Sequence, residues 1–327
     1  MSTPSSGSIA PEELIAHYRL MVLVRRFEER LSDLFSEGVI TGTSHFCLGQ
    51  EACAVGAIAA LRPDDLVTSN HRGHGHFLAK GADSGRLLAE LCGKATGYSG
   101  GRGGSQHMAD FSLGFLGSNG ITGGMIPIAT GAALTQKRQA TGRVVVCFFG
   151  DGACGQGAFH EAVNMGAIWD LPIVYFLENN TYAMSTPTAQ AFRVANLAER
   201  AVAYGIPGYS VDGNDYFAVR EAVAQAAARA RSGAGPTLIE AKTYRCCGHS
   251  KSDGREYCPV GELEGWQERD PLRLMQEALG QRGVLAGSQA ESIAADVERE
   301  LDAAVEFARQ SPEPDPATAG QGVFASS

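Results

Sequence analysis

The chain lacks a long hydrophobic run, a paired-cysteine motif and a surplus of positive charge, and each gap removes a class of function. No apolar stretch approaches the roughly 20 residues that a helix needs to cross a bilayer. The opening residues, MSTPSSGSIAPEEL, hold neither the apolar core of a secretory signal nor an Arg-rich transit pattern, so a cytoplasmic protein is expected. With 27 Lys and Arg against 36 Asp and Glu, the net charge of −9 argues against nucleic acid or an anionic membrane as a general partner. The eight cysteines never fall as C-x-x-C and several sit inside apolar runs. Small buried thiols are therefore expected, rather than a zinc or redox centre. Cys246-Cys247 stands out only as an oxidation-sensitive pair of neighbours. The glycine-dense GYSGGRGGSQH at 97–107 lacks the G-K-[ST] ending of a P-loop and reads as a mobile or tightly turned loop.

What is present centres on residues 143–182, RVVVCFFGDGACGQGAFHEAVNMGAIWDLPIVYFLENNTY. Residues 144–149 are a β-branched and aromatic run, the pattern of a strand buried on both faces of a parallel sheet. Residues 156–169 space Phe159, Val163 and Ala167 four apart as a helical stripe, Pro172 breaks it, and 173–177 read as a second buried strand. A right-handed crossover lays the two strands side by side. Asp151 and Asn180 then meet at the carboxyl edge, where open α/β sheets bind ligands. A carboxylate oxygen, an amide oxygen and a free backbone carbonyl make half of an octahedral oxygen shell. Mg²⁺ prefers that shell, usually shared with water and substrate phosphates. The implied ligand is a magnesium-held diphosphate. Gly150, Gly152 and Gly155 also spell G-x-G-x-x-G, a dinucleotide fingerprint, so a nicotinamide-binding dehydrogenase is an alternative. Against it, the Asp151 carboxylate would repel a pyrophosphate unless a cation bridged them.

GDG followed at this spacing by ENN resembles the thiamine-diphosphate motif. The form GDGACGQGAFHEAVNMGAIWDLPIVYFLENNTYAMSTP is similar to the alpha subunits of the first components of 2-oxo-acid and acetoin dehydrogenases, and the resemblance runs from about residue 11 to 307. It implies an α/β fold: a three-layer parallel sheet with helices on both faces and helical extensions at each end. It implies thiamine diphosphate and Mg²⁺ as cofactors, with Mg²⁺ held by Asp151, Asn180 and the Tyr182 carbonyl, and Gly152 and Ala153 beside the diphosphate. In TSHFCLGQEACA, His45 takes the place of the family's substrate-side histidine. In NHRGHGH, Arg72 contacts diphosphate, and His71 replaces the tyrosine of the pyruvate enzymes, a feature similar to acetoin dehydrogenase. In GSNGITGG, Gly120 and Thr122 bond the aminopyrimidine through backbone. In TYRCCGHSKSDGREY, Arg245 reaches phosphate and His249 acts beside the thiazolium, with Cys247 where relatives have a histidine. Ser250 and Ser252 fall where some relatives are phosphorylated. The glutamate that activates the aminopyrimidine is implied to come from a beta subunit in an α2β2 assembly, with a lipoyl domain of an acyltransferase as acyl acceptor. The expected reaction is cleavage of acetoin with acetyl transfer to lipoyl, the alternative being oxidative decarboxylation of pyruvate or another 2-oxo acid. A non-catalytic subunit on this fold is a third possibility.

Elsewhere, residues 1–10 read as a disordered N-terminus, 11–310 as one catalytic domain and 311–327 as a flexible tail. A helix opens at Pro11-Glu12-Glu13 and runs to about Ser36. Residues 65–77 read as a strand and then a loop with three histidines, whose H-x-x-H-x-H spacing suggests a metal but has no carboxylate or thiolate to complete it. His74 either lies near the site or holds the loop. A polar loop is expected at 183–196. Helices are expected at 262–307, where Ile293, Val297, Leu301 and Val305 form a stripe that suits packing on the domain or on a partner.

Overall fold

The computed structural model describes residues 9–321, and its core rests on the alternation of strand side chains between two apolar layers. The strands are β1 Leu66–Ser69, β2 Phe115–Ser118, β3 Val145–Gly150, β4 Ile173–Asn179, β5 Tyr182–Ala183, β6 Thr186–Pro187, β7 Gly208–Asp212 and β8 Thr237–Lys242. Six of them form one sheet in the order β2-β1-β3-β4-β8-β7, and every pairing in it is parallel. The short β5 and β6 make a separate antiparallel hairpin.

The helices are α1 Pro11–Ser36, α2 Glu51–Ala59, α3 His74–Ala79, α4 Ser84–Leu91, α5 Met125–Arg138, α6 Gly157–Ile168, α7 Thr188–Ala191, α8 Tyr216–Arg231, α9 Glu262–Gln267, α10 Pro271–Gln281 and α11 Gly287–Gln310. Val146, Phe148, Val174, Phe176 and Ile239 face one layer with α1, α2, α8, α10 and α11. Val145, Cys147, Phe149, Ile173, Tyr175 and Leu177 face the other with α5 and α6. The expected three-layer α/β architecture is therefore the one observed. Local chemistry sets the helix starts: Asp215 accepts from two backbone N–H groups ahead of α8, and Asp270 does the same ahead of α10, whose first residue is Pro271.

Several local readings change. His74 and His76 lie on the short helix α3, not in an open loop. Residues 183–196 contain the β5–β6 hairpin and α7 rather than unstructured chain. The stripe Ile293, Val297 and Leu301 is buried in the chain's own core, with Val305 packed against it, which settles the choice between domain and partner. Residues 311–321 lie against the glycine loop: Ala95 N–H donates to Pro312 O at 2.9 Å, and Arg102 Nη2 donates to the Thr318 carbonyl at 2.9 Å. The readings for 1–8 and 322–327 fall outside the described residues.

One buried polar contact sets how closely α6 approaches the sheet. The Tyr175 hydroxyl donates to Ala162 O at 3.1 Å and meets Thr130 Oγ1 at 2.9 Å. A Cβ at Gly166 would fall 2.3 Å from that hydroxyl. Ala normally favours a helix over Gly by about 1 kcal/mol. Overpacking a rigid interior costs about 1–3 kcal/mol, so here it should win. Gly166→Ala is expected to lower the urea midpoint, and a midpoint equal to or above wild type would contradict this packing account.

Candidate functional site

At the carboxyl edge of the sheet, between β1 and β3 where the strand order reverses, lies a cavity of about 260 Å³. Asp151 follows β3 in a 3₁₀ turn, Asp151–Gly155, and is 2% exposed. Burial pushes its carboxyl pKa up, and the Thr188 hydroxyl, which donates to Oδ2 at 3.1 Å, opposes that shift. The turn intervenes between β3 and α6, so the glycines do not open directly into a helix as a dinucleotide fingerprint requires. Asn180 follows β4, next to β3. Its Nδ2 donates to Gln50 Oε1 at 3.3 Å, while its Oδ1 is buried with no hydrogen-bond partner among the described residues. Thr181 and Met184 take left-handed conformations, with φ of 80° and 55°, on either side of Tyr182. Such conformations are costly for side-chain-bearing residues and cluster at ligand sites.

This donor set fits a hard divalent cation carrying a diphosphate. An orphaned amide oxygen and a buried carboxylate stand at the ends of adjacent strands, and both line the cavity with Tyr182. Added Cβ atoms at Gly150 and Gly155 would meet nothing within 4 Å, so the protein itself leaves room there.

Two guanidiniums face the same space. Arg72 donates to Phe46 O and His249 O, both at 2.8 Å, and to His249 Nδ1 at 3.1 Å. Burial and the neighbouring Arg245 hold its pKa down at about 10. Arg245 donates to Met184 O at 3.1 Å, Tyr182 O at 3.4 Å and the Tyr257 hydroxyl at 2.5 Å. Three imidazoles complete the site. The His45 ring centroid lies 4.7 Å from that of His71 and 4.8 Å from that of His249. Burial, then Arg72, lowers the pKa of His45 to about 3 and that of His249 to about 4, and the same causes lower that of His71. All three rings are therefore neutral at pH 7. Arg72 can only donate, so His249 Nδ1 accepts and the proton of the neutral ring sits on Nε2. The Gln106 amide, 3.1 Å from His45 Nδ1, holds that ring in the same way.

The structure gathers His71, Arg72, Thr122, Asp151, Gly152, Ala153, Asn180, Tyr182, Arg245 and His249 around one cavity. His45 stacks edge-on behind His71 and His249. Gly120 stands off the cavity wall, and an added Cβ there would approach Gln106 Oε1 to 2.3 Å. The histidines of H-x-x-H-x-H part company. His71 joins the imidazole cluster, His74 bonds Glu28 and Ser105, and His76 bonds Ser69 and Glu178. That spacing thus makes no shared metal site. Sequence reasoning missed Gln50, Gln106 and Thr188, whose side chains touch Asn180, His45 and Asp151. Gln50 lies within TSHFCLGQEACA and Gln106 within the glycine-dense loop, but nothing in either segment marks that residue as a site group, and Thr188 belongs to no motif. The Cys247 thiol is pushed up to about 11 by burial, so it is not a ready thiolate.

Residues 19–317 match the family described as Dehydrogenase E1 component. The alpha subunit of acetoin:2,6-dichlorophenolindophenol oxidoreductase from Bacillus subtilis (strain 168) is 44% identical over 94% of this chain and 92% of its own length. The corresponding subunit from Cupriavidus necator is 42% identical over 93% of this chain and 92% of its own. The pyruvate dehydrogenase E1 component subunit alpha of Rhizobium meliloti (strain 1021) is 39% identical over 95% and 90%.

The lowered imidazole pKa values carry a sign for stability. Below the ordinary histidine value of 6.5 the unfolded chain takes up protons that folded His45 and His249 refuse until about pH 3 and 4. Their contribution to stability is thus complete above pH 6.5 and falls as the pH drops through that window. His45→Asn is expected to flatten the loss of urea stability between pH 7 and pH 4.5, and an unchanged pH slope would refute a neutral buried ring.

Proposed function

The chain belongs to the dehydrogenase E1 component family, and from that premise we propose that it is the alpha subunit of an acetoin-cleaving enzyme that passes the acetyl unit to a lipoyl group. Thiamine diphosphate is the cofactor this family uses. When bound, it supplies a nucleophilic thiazolium carbon and an electron sink for carbon–carbon cleavage. The observation that carries the reading is the orphaned Asn180 Oδ1 beside the buried Asp151 carboxylate at adjoining strand ends. With the Tyr182 carbonyl they would hold Mg²⁺, and the Arg72 and Arg245 guanidiniums would neutralise diphosphate charge that the magnesium leaves over. Thr122, which lines the cavity, would offer backbone groups to the aminopyrimidine, with Gly120 two residues before it and off the cavity wall. His71 would stand between diphosphate and substrate. His45 and His249, neutral with protons on Nε2, would donate hydrogen bonds to the substrate's oxygen as it gains negative charge.

The remaining half of the chemistry is assigned to partners. A beta subunit would supply the glutamate that bonds the aminopyrimidine in an α2β2 assembly, and the lipoyl domain of an acyltransferase would accept the acetyl unit. Acetoin is favoured because two of the relatives named above are acetoin oxidoreductase subunits, and because His71 stands where the pyruvate enzymes have tyrosine. The pyruvate dehydrogenase relatives, at 39% identity, support a 2-oxo acid as the second reading.

The test is dye reduction by the chain co-purified with its beta subunit, with thiamine diphosphate and Mg²⁺ added. Turnover of acetoin well above that of pyruvate is expected. A preference for pyruvate would overturn the substrate assignment, and no cofactor-dependent turnover of either would sink the catalytic reading. Gln50→Ala, which removes the group orienting Asn180, should weaken magnesium-dependent cofactor binding about 10–100-fold by calorimetric titration. Unchanged binding would mean that Asn180 is not a ligand.

A further inference from the structure

His45 sits in residues 43–47, which form neither helix, strand nor turn. No ladder of backbone hydrogen bonds fixes this stretch, yet four of its five residues are buried: Ser44 at 0%, His45 at 8%, Phe46 at 5% and Cys47 at 4% exposure. Side chains from elsewhere must therefore hold it in place, and the contacts show which. Cys47 N–H donates to Glu28 Oε1 at 3.1 Å, and the Cys47 thiol lies 2.9 Å from the same oxygen. That oxygen also receives His74 Nδ1 at 3.0 Å. His74 Nε2 meets Ser105 Oγ at 2.8 Å, and Ser105 Oγ meets Ser44 Oγ at 3.0 Å. The circuit leaves residue 47, crosses α1, α3 and the glycine loop, and returns at residue 44. His45 is thus clamped from both sides.

The sense of each bond follows from its chemistry. An oxygen that takes donors from an amide, a thiol and an imidazole is that of an ionised carboxylate. His74 Nδ1 donates to Glu28, and its Nε2 and the Ser105 and Ser44 hydroxyls continue the chain of hydrogen bonds. Glu28 and His74 are both 0% exposed, and Glu28 Oε2 has no hydrogen-bond partner among the described residues. Burying a carboxylate with one oxygen unsatisfied is expensive. A Leu or Met at position 28 would fill the same apolar environment of α1 at lower cost, so the polar group has a use other than packing.

We propose that Glu28, His74 and Ser105 are positioning residues: their buried hydrogen-bond circuit fixes residues 44–47 and so sets the His45 imidazole against His71 and His249. The same circuit reaches the other site segments. His74 follows Arg72 by two residues, Ser105 precedes Gln106, and Lys251 N–H donates to Ser44 O at 3.2 Å. One carboxylate on a distant helix thereby ties together four loops that come from four parts of the chain.

The primary test is hydrogen–deuterium exchange of the full-length chain, read peptide by peptide for wild type, Glu28→Gln and Ser105→Ala. Glu28→Gln keeps the volume and removes the charge. Ser105→Ala removes one hydroxyl and leaves the Glu28–His74 pair intact, so it decides the matter should Glu28→Gln prove globally unstable. Exchange across residues 43–48 should rise roughly fivefold or more while the β3 and β4 peptides stay protected. Unchanged exchange there in Ser105→Ala would overturn the proposal, whatever the enzyme turns over. A second readout rests on the proposed function. In the complex with the beta subunit, Ser105→Ala should lower kcat about 10–100-fold with cofactor affinity within threefold, as a misplaced but present imidazole would. A fall confined to cofactor affinity would count against positioning. Absence of turnover in the wild-type complex would remove the functional reading alone, and the exchange result would stand.

Discussion

Two buried guanidiniums without carboxylate partners impose the constraint on which the site depends. Arg72 and Arg245 are each 3% exposed, and among the described residues neither forms an ion pair. Their N–H groups are satisfied by the carbonyls of Phe46, Tyr182, Met184, Cys247 and His249 and by the Tyr257 hydroxyl. Carbonyl dipoles complete the hydrogen bonding, and Asp151, Asp253 and Glu178 offset part of the charge without pairing directly with either guanidinium; charge in a low-dielectric interior is costly unless something of opposite sign is near. Burial first, and the neighbouring positive charge second, lower the pKa of Arg72 and of all three imidazoles. A polyanion offsets that positive charge. A divalent cation at Asp151 and Asn180 alone would add to the positive charge, so cation and anion are best taken up together. A metal-bound diphosphate meets both requirements.

The frame of this arrangement was legible in the order of residues. The β-branched runs of β3 and β4, the break at Pro172 and the motifs at 150–152 and 178–180 locate two adjoining strands and put Asp151 and Asn180 at their carboxyl ends. Continuous apolar strand runs and period-4 helical stripes survive folding because burial produces them. What supports the site was not legible. Glu28 lies on a helix whose other face is charged, where a glutamate looks solvent-exposed until α3 packs on it. Gln50, Gln106 and Thr188 acquire their roles only through contacts between residues distant in sequence. The three histidines after β1 mislead for a related reason: alternation over a short helix and its preceding turn sends them to three different neighbourhoods.

The division of labour follows from parallel-strand geometry. A parallel sheet delivers the ends of β1, β3, β4 and β8 to one edge, which brings polar side chains together from four crossovers but leaves them on loops. Loops lack the repeating backbone bonds that would hold an imidazole to a fraction of an ångström. The molecule compensates with side-chain circuits: Glu28–His74–Ser105 beneath His45, Asp253 with Tyr257 around His249 and Arg245, and Glu262 joined to both Tyr182 and Tyr244 at 2.8 Å. Left-handed backbone at Thr181 and Met184 adds a further constraint on the segment that presents the Tyr182 carbonyl.

The imidazole cluster invites comparison with a transition-metal site, since ligand atoms of His45, His71 and His249 lie within 4.8 Å of one another. The surroundings argue otherwise. A zinc-binding histidine normally donates its second nitrogen to a carboxylate or carbonyl, which raises its basicity and draws the metal. Here the groups behind the rings have the opposite polarity: Arg72 donates into His249 Nδ1, Arg245 Nη1 lies 3.5 Å from the same nitrogen, and Gln106 faces His45 Nδ1. Donors on the outer nitrogen pull electron density from the ring and leave an N–H on the inner one. Such rings are poor metal ligands and good partners for an oxygen that is gaining negative charge. Two of the three histidines that would hold zinc beside carboxylates, His45 and His249, are turned by an amide and by arginine into hydrogen-bond donors.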